Sequence, residues 1–256
     1  MTTAPGDRRR TILAALSPTK VRSVNALSHL TGVSAITVRR DLAQLVREGR
    51  VVRVHGGALR APHRGPLRPA AERRPEDVEA KRLLARAVAS RIEDGESVII
   101  DSGTTCELVA EQLAGRDLRV LCLSLGAGAA ISAVRGTVAS IAGGTIDPES
   151  LSLFSAQAVD AVRGFCADVA VLSTCAVSTT EGLTVIEESD AILKRAIMAA
   201  SSRVILPVAP RKLGRTHTYR FGTVTDLDDL LTTADADPEA IEDLRAGGLP
   251  VSVIER

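Results

Sequence analysis

Five consecutive residues, Asp101-Ser102-Gly103-Thr104-Thr105, are the part of this 256-residue chain best equipped to hold a small molecule. They follow the apolar run Ile99-Ile100 and precede a helical pattern, which puts a glycine turn and several hydroxyls at a helix N-terminus. Amides there lack intrahelical acceptors and the helix dipole favours negative charge, so the group that fits is a phosphate. Asp101 has the wrong charge for the phosphate itself and the right chemistry to accept from sugar hydroxyls beside one. Ser124-Leu125-Gly126 and Gly143-Gly144-Thr145 follow two further apolar runs. Each alone is a plain strand-to-helix turn; three such loops at one sheet edge make a ligand site.

A second set, Ser34, Thr37, Arg39, Arg40, Arg53 and His55, belongs to different chemistry. At 100° per residue, a helix capped by Ser34 turns Val38, Leu42 and Leu45 to one side and Ile36, Arg40, Ala43 and Arg47 to the other, with Thr37, Arg39 and Gln44 flanking. Arginine reads guanine edges bidentately and threonine meets the thymine methyl, so the outer face suits a major groove. Arg50 to Ala58 alternates apolar and basic residues into Gly56-Gly57, the pattern of a hairpin laying Arg53 and His55 along a phosphate backbone.

The charge distribution agrees. The formal charge of the chain is +1, yet residues 1–74 hold fifteen basic and four acidic residues, +11, and the rest carries −10. Concentrated positive charge attracts nucleic acid whatever its sequence. The chain has one Tyr, three Phe and no Trp, none in the basic segment, so it offers no platform for stacking single-stranded bases; the expected partner is double-stranded DNA. No run of 18 apolar residues and no apolar leader after Met1 is present, so no membrane partner is expected and a cytoplasmic location is. Cys106, Cys122, Cys166 and Cys175 form no C-x-x-C pair, and no metal or cofactor is expected. They read as reduced, mostly buried thiols. Cys106, at a helix start that favours thiolate, is weighed as a redox sensor.

The elements that must position these residues divide in two. Arg8 to Leu16, Val24 to Leu30 and Ser34 to about Glu48 have helical periodicity, with a glycine turn at Gly32 between the second and third, a helix-turn-helix, and Gly49 as the last helix's stop. Residues 1–59 are read as a winged helix-turn-helix domain. Residues 60–75, with Pro62, Pro66, Pro69 and Pro75 among arginines, are read as an extended spacer. Residues 76–256 alternate helices and strands: Glu79 to Ile92, Cys106 to Leu113 and Ile192 to Ala200 helical; Ser97 to Ile100, Leu118 to Leu123, Val138 to Ala142, Val169 to Leu172, Val204 to Val208 and Leu230 to Thr233 extended. The fold class is α/β, a Rossmann-like, mostly parallel sheet that gathers ligands at the carboxyl ends of its strands.

Ser34-Ala-Ile-Thr37-Val-Arg39-Arg40-Asp41-Leu42 with Gly49-Arg-Val-Val-Arg53-Val-His55-Gly56-Gly57-Ala58 resembles the N-terminal signature of the DeoR family of bacterial transcriptional regulators. The resemblance implies that Ser34, Thr37, Arg39, Arg40 and Arg53 approach an operator and that Asp41 orients its neighbours. Lys81, the Asp101–Thr105 loop, Gly143-Gly144, Glu181-Gly-Leu-Thr184, Lys194-Arg195 and Lys212-Leu-Gly214 resemble that family's effector domain, related in fold to ribose-phosphate isomerase. It implies a phosphorylated sugar or related metabolite as ligand, contacts from Glu181, Lys194 and Lys212, and a homo-oligomer, dimer or tetramer. The chain departs from the family pattern at Leu125, at Cys175 and at Ala209, the last two replacing Asp. Those changes imply either a less hydroxylated effector or weakened effector control.

The leading reading is a repressor of a carbohydrate-metabolism operon released or modulated by such a metabolite; two alternatives are a DNA-binding protein whose second domain only oligomerises, and a sugar-phosphate isomerase. The isomerase would use Asp101 or Glu181 as base and Lys194 or Lys212 as electrophile. The lost Asp residues and the helix-turn-helix weigh against it, and no enzyme is expected.

Overall fold

The computed structural model describes residues 4–17, 20–47, 50–60 and 68–255. Backbone contacts divide the chain into two units, Met1–Gly65 and Pro66–Arg256.

The first unit runs α1 (Pro5–Ala15), β1 (Arg22–Ser23), α2 (Val24–Thr31), α3 (Ala35–Arg47), β2 (Val51–Val54) and β3 (Gly57–Arg60). Ser23 Oγ accepts from the Ala26 amide and starts α2, while Gly32, at φ 67°, ends it in the left-handed conformation that suits glycine. Ser34 starts α3, its Oγ 3.3 Å from the Thr37 amide. β2 and β3 form an antiparallel hairpin, and β1 pairs with the far side of β3. That pairing needs glycine at 57, since a β-carbon there would lie 2.3 Å from the Arg22 carbonyl oxygen. Ile12, Leu13, Leu16, Leu27, Val38, Leu42, Leu45, Val51 and Ala58 make one core. Gly49, expected to stop α3, and residues 61–67 of the expected spacer lie outside the described residues.

The second unit opens with α4 (Ala70–Arg73) and α5 (Val78–Ala89), then β4 (Ser97–Ile100), α6 (Thr104–Leu113), β5 (Arg119–Cys122), α7 (Leu125–Ile131) and β6 (Val138–Ile141). It continues with α8 (Ala156–Arg163), β7 (Ala167–Val171), β8 (Ala176–Ser178), β9 (Gly182–Val185), α9 (Glu188–Ala199) and β10 (Ser201–Pro207). β11 (Tyr219–Gly222), β12 (Asp229–Thr233), α10 (Pro238–Ala246) and β13 (Val251–Ile254) complete it. Seven strands form one sheet in the order β13-β12-β10-β7-β4-β5-β6, every pair parallel. Alternation along each strand feeds two cores: Ile99 and Ala170 pack on the face covered by α8, α9 and α10, Val98, Ile100 and Val171 on the face covered by α5, α6 and α7.

β4 comes first in sequence yet lies in the middle. The chain leaves it for β5 and β6 on one side and returns to β7 on the other, so the winding direction reverses between β4 and β7. A crevice at the carboxyl ends of these two strands is where an open parallel sheet binds ligands.

Two features depart from the sequence reading. A three-stranded antiparallel sheet, β11-β9-β8, was not foreseen; its strands are short and interrupted by Thr and Gly, and carry little periodicity. The end of the supposed extended spacer is packed. Pro69 precedes the α4 turn, Ala70 is buried with its amide on the Glu149 carbonyl, and Arg68 pairs with Glu72 and Glu76. Acceptors on the second unit satisfy this segment, which composition alone could not reveal.

Candidate functional site

On α3, burial of Val38, Leu42 and Leu45 fixes which residues face outward. Ser34, Arg39 and Arg40 are exposed, Thr37 is half-buried, and Ile36 is 76% exposed, an apolar residue placed where contact with a base methyl would cover it. Asp41 is buried and touches α1: Arg8 Nε donates to its Oδ2 at 2.6 Å and Nη2 to its Oδ1 at 3.1 Å. Hydrogen bonding to Asp41 outweighs burial and holds the Arg8 pKa above its ordinary value. Asp41 therefore anchors the helix to the core. Arg53 on β2 is exposed and donates from Nη2 to the Arg39 carbonyl at 2.9 Å, tying the hairpin to α3, and His55 is exposed at the hairpin turn. A groove of about 390 Å³, lined in part by Ser23, Asn25, Arg39, Arg53 and Gly56, runs between these elements.

At the β4–β7 switch point the geometry changes the expected roles. Asp101 is fully buried. Its Oδ1 accepts from the Ser102 amide at 2.7 Å, and its Oδ2 accepts from the Ser173 amide at 2.8 Å and from Lys194 Nζ. Lys194, also buried, donates to Ser173 Oγ at 2.9 Å and lies 3.1 Å from Asp190 Oδ1, which is out of hydrogen-bond alignment. Burial opposes the Lys194 charge, but Asp101 and Asp190 outweigh it and raise its pKa. Burial pushes the Asp190 carboxyl up to about 6 against the pull of Lys194. Asp101 and Lys194, expected at a ligand, thus spend their polar atoms on each other and on backbone.

Ser102 and Thr104 are largely buried and Thr105 half-buried. Gly103 precedes α6 at φ 109°, a conformation that suits glycine. The amides of Gly103, Thr104 and Thr105 meet no acceptor among the described residues, the open helix end an anion requires. Ser124 is buried and caps α7 by accepting from the Ala127 amide. Gly144 lies against Ser155, where a β-carbon would come within 1.9 Å of Oγ; Gly143, at φ 80°, has open space. Glu181 sits in the β8–β9 turn, exposed and paired with Arg220 at 2.8 Å. Among the described residues, no hydrogen bond or ion pair links Ser124, Gly143, Gly144 or Glu181 to Asp101 or Lys194.

Lys81 and Lys212, both in the effector-domain resemblance, meet Arg73 and Arg211, which the sequence reading did not single out. Lys212 Nζ donates to the Thr174 carbonyl at 2.6 Å, just past β7. Burial, with repulsion from Arg211 and Arg73, lowers its pKa to about 8. Lys81 on α5 is buried, holds the Arg73 carbonyl, and is lowered to about 8 by burial and by Arg211. Arg211 is held by Glu76 and Asp77, each at 2.7 Å; Asp77 adopts φ 50° immediately before α5. Arg74 makes a two-pronged pair with Glu107 of α6 at 3.0 and 3.1 Å. Arg73 is half-buried, its pKa lowered chiefly by burial, and among the described residues no carboxylate lies within ion-pair distance of it. The resemblance had named Lys81 and Lys212; Arg73 was missed because its proline-rich context read as a spacer.

Of the departures from the family pattern, Ala209 is buried, Cys175 is half-buried and Leu125 is exposed at the start of α7. Ser173 and Thr174 are polar partners in this altered stretch. Cys106 is buried and burial raises its thiol pKa, which removes the basis for a redox role; Cys166 is the exposed thiol. Among the described residues there is no cluster of three His, Cys, Asp or Glu fit for a metal ion, and no helix is long and apolar enough to cross a membrane.

Comparison with known proteins gives two family matches: the DeoR C terminal sensor domain over residues 76–234 and the DeoR-like helix-turn-helix domain over residues 8–63. The chain is 28% identical to the HTH-type transcriptional regulator GlpR of Haloferax volcanii, over 96% of this chain and 97% of that one. It is 29% identical to the glycerol-3-phosphate regulon repressor of Escherichia coli K12, over 79% and 80%. It is 28% identical to the repressor GlcR of Bacillus subtilis, over 79% and 78%. Among solved structures, ribose 5-phosphate isomerase A of Neisseria gonorrhoeae aligns with TM-score 0.37 at 15% identity, covering 56% of this chain and 54% of that one.

Proposed function

This chain belongs to the DeoR family of transcriptional regulators, and from that premise we propose that it represses a carbohydrate-metabolism operon in the cytoplasm and is released or modulated by a phosphorylated sugar or related metabolite. The observation that carries the sensor half is the cluster of Arg73, Lys81, Arg211 and Lys212 on the same unit as the open amides of Gly103 to Thr105. Two lysines held near pKa 8 by burial and neighbouring guanidinium groups are a repulsive arrangement in the free protein. A phosphate relieves it and in turn restores the lysine charges. That a relative of similar length is named a glycerol-3-phosphate regulon repressor supports the same ligand class.

Ligand control requires only that the metabolite bind the operator-competent and operator-incompetent states unequally. The cluster includes Arg73 of α4, the first helix of the second unit. The isomerase reading loses support from the same geometry: Asp101 is buried with its oxygens on Lys194 and two backbone amides, and Glu181 lies exposed in the β8–β9 turn with no hydrogen bond or ion pair to Asp101 or Lys194 among the described residues.

The test is fluorescence anisotropy with duplexes selected from random sequence by the protein, titrated with inorganic phosphate, glycerol 3-phosphate, glucose 6-phosphate and fructose 6-phosphate. One of them is expected to shift DNA affinity, and affinity alone should fall steeply with salt. If no phosphorylated compound changes DNA binding or gives heat in calorimetry, the sensor half is refuted and a purely oligomerising second domain stands.

A further inference from the structure

The free edge of the seven-stranded sheet at β6 carries an inference beyond the ligand and the operator. From Leu125 to Ile146 the chain has a single charged residue, Arg135, although a quarter of the whole sequence is charged. Burial does not account for this, because 18 of these 22 residues reach solvent. Val134, Val138, Ile141 and Ile146 are 53, 59, 49 and 42% exposed. All four residues of β6 are exposed, on both faces of the strand.

β6 pairs with β5 through Val138, Ser140 and Ala142, so the N–H and C=O groups of Ala139 and Ile141 point away from the sheet. An exposed strand with unpaired backbone groups and no guarding charge is a template for another strand, and soluble proteins blunt such edges. The opposite edge is blunted: Arg245 Nη2 donates to the outward Val251 carbonyl at 3.1 Å, and Glu255 follows β13. The β6 edge is held in place. Thr137 Oγ1 donates to the Arg116 carbonyl at 2.8 Å, and Gly136 packs directly on Gly115.

We propose that β6 is the interface between two copies of this chain, paired antiparallel about a two-fold axis at Ser140. Ala139 of each copy then exchanges both backbone hydrogen bonds with Ile141 of the other, and the two sheets continue into one. A second copy is the occupant because an antiparallel edge is complementary to itself under a two-fold axis, while a strand with no charge of its own offers a differently charged partner little to recognise. Val134, Val138, Ile141 and Ile146 supply exposed apolar side chains around the edge that such a pair would cover. A two-fold pair also supplies the two α3 helices that a palindromic duplex needs.

The experiment is sedimentation equilibrium of the full chain with amide hydrogen exchange. The expected mass is twice 26.9 kDa, with the Ala139 and Ile141 amides protected at micromolar concentration and exchanging rapidly on dilution into the monomer. Val138→Lys and Ala139→Pro, at exposed positions whose change removes no hydrogen bond within the sheet, are expected to halve the mass and leave the circular dichroism melt in place. A wild-type monomer overturns the proposal and leaves the edge to a different protein. A dimer that survives both substitutions, or whose Ala139 and Ile141 amides exchange at solvent rates, overturns it by placing the interface elsewhere.

Discussion

Asp101→Asn separates two accounts of the Asp101–Thr105 loop. If Asp101 reads sugar hydroxyls, the substitution weakens ligand binding and spares the fold. The geometry assigns the reverse. The asparagine can still accept from the Ser102 amide, but its amide group turns donor toward the Ser173 amide and Lys194 Nζ, both of which are donors. A buried lysine is left with Asp190 at 3.1 Å as its one counter-charge. Removing one member of a buried pair costs roughly 3 to 5 kcal/mol, and Asp190, which ionises more readily once Asp101 is neutral, keeps the cost near the lower figure. For a unit the size of Pro66–Arg256, about 3 kcal/mol lowers its melting midpoint by roughly 6 to 12 °C. Scanning calorimetry of the full chain reads this as a shift of the larger transition. Because the loss comes from a stranded charge, Asp101→Asn combined with Lys194→Met should be less destabilised than Asp101→Asn alone, and the cycle of single and double variants measures the coupling. An Asp101→Asn variant that melts with the wild type yet no longer responds to ligand would refute the reasoning.

Three further outcomes are expected. In the free protein the lowered pKa values of Lys81 and Lys212 make their charges a burden below about pH 8 that lifts as pH rises toward the ordinary lysine value; stability should rise over that window, while calorimetric affinity for a phosphorylated ligand falls and its binding takes up protons. Arg8→Met strands the buried Asp41 carboxylate and should cost the first unit about 3 kcal/mol, so that DNA binding is lost on warming in parallel with the helical signal, with sequence preference intact at low temperature; a variant with unchanged melting and altered preference would contradict this. Of the four cysteines, exposed Cys166 should react rapidly with a thiol reagent at pH 8, while Cys106 and Cys122, the latter pushed up to about 12 by burial, react only on unfolding, as mass spectrometry of labelled peptides can verify.

What the sequence by itself determined was everything carried by local periodicity and local chemistry. The spacing of Val38, Leu42 and Leu45, the Ser23 and Ser34 caps and the Gly32 turn are enough to build the helix-turn-helix, because each acts within one helical turn of itself. Apart from the exposed edge strand β6, the strands from β4 to β12 that belong to the parallel sheet are largely buried apolar runs, and their alternation with helices leaves few topologies open. The open amides before α6 were legible for the same reason. Only the tertiary structure decided which charges meet. Asp101 and Lys194 are 93 residues apart and neutralise each other; Arg8 and Asp41 lock α1 to α3. Arg73, in a stretch whose prolines and arginines read as a free spacer, lies instead with Lys81 and Lys212 on the sensor unit. The physical reason is that a charge is a long-range and sign-only label: sequence tells what each ionisable group carries, but its partner is set by where the sheet order returns the chain, and here the return of β7 beside β4 makes one carboxylate a strut for the Ser173 amide and Lys194.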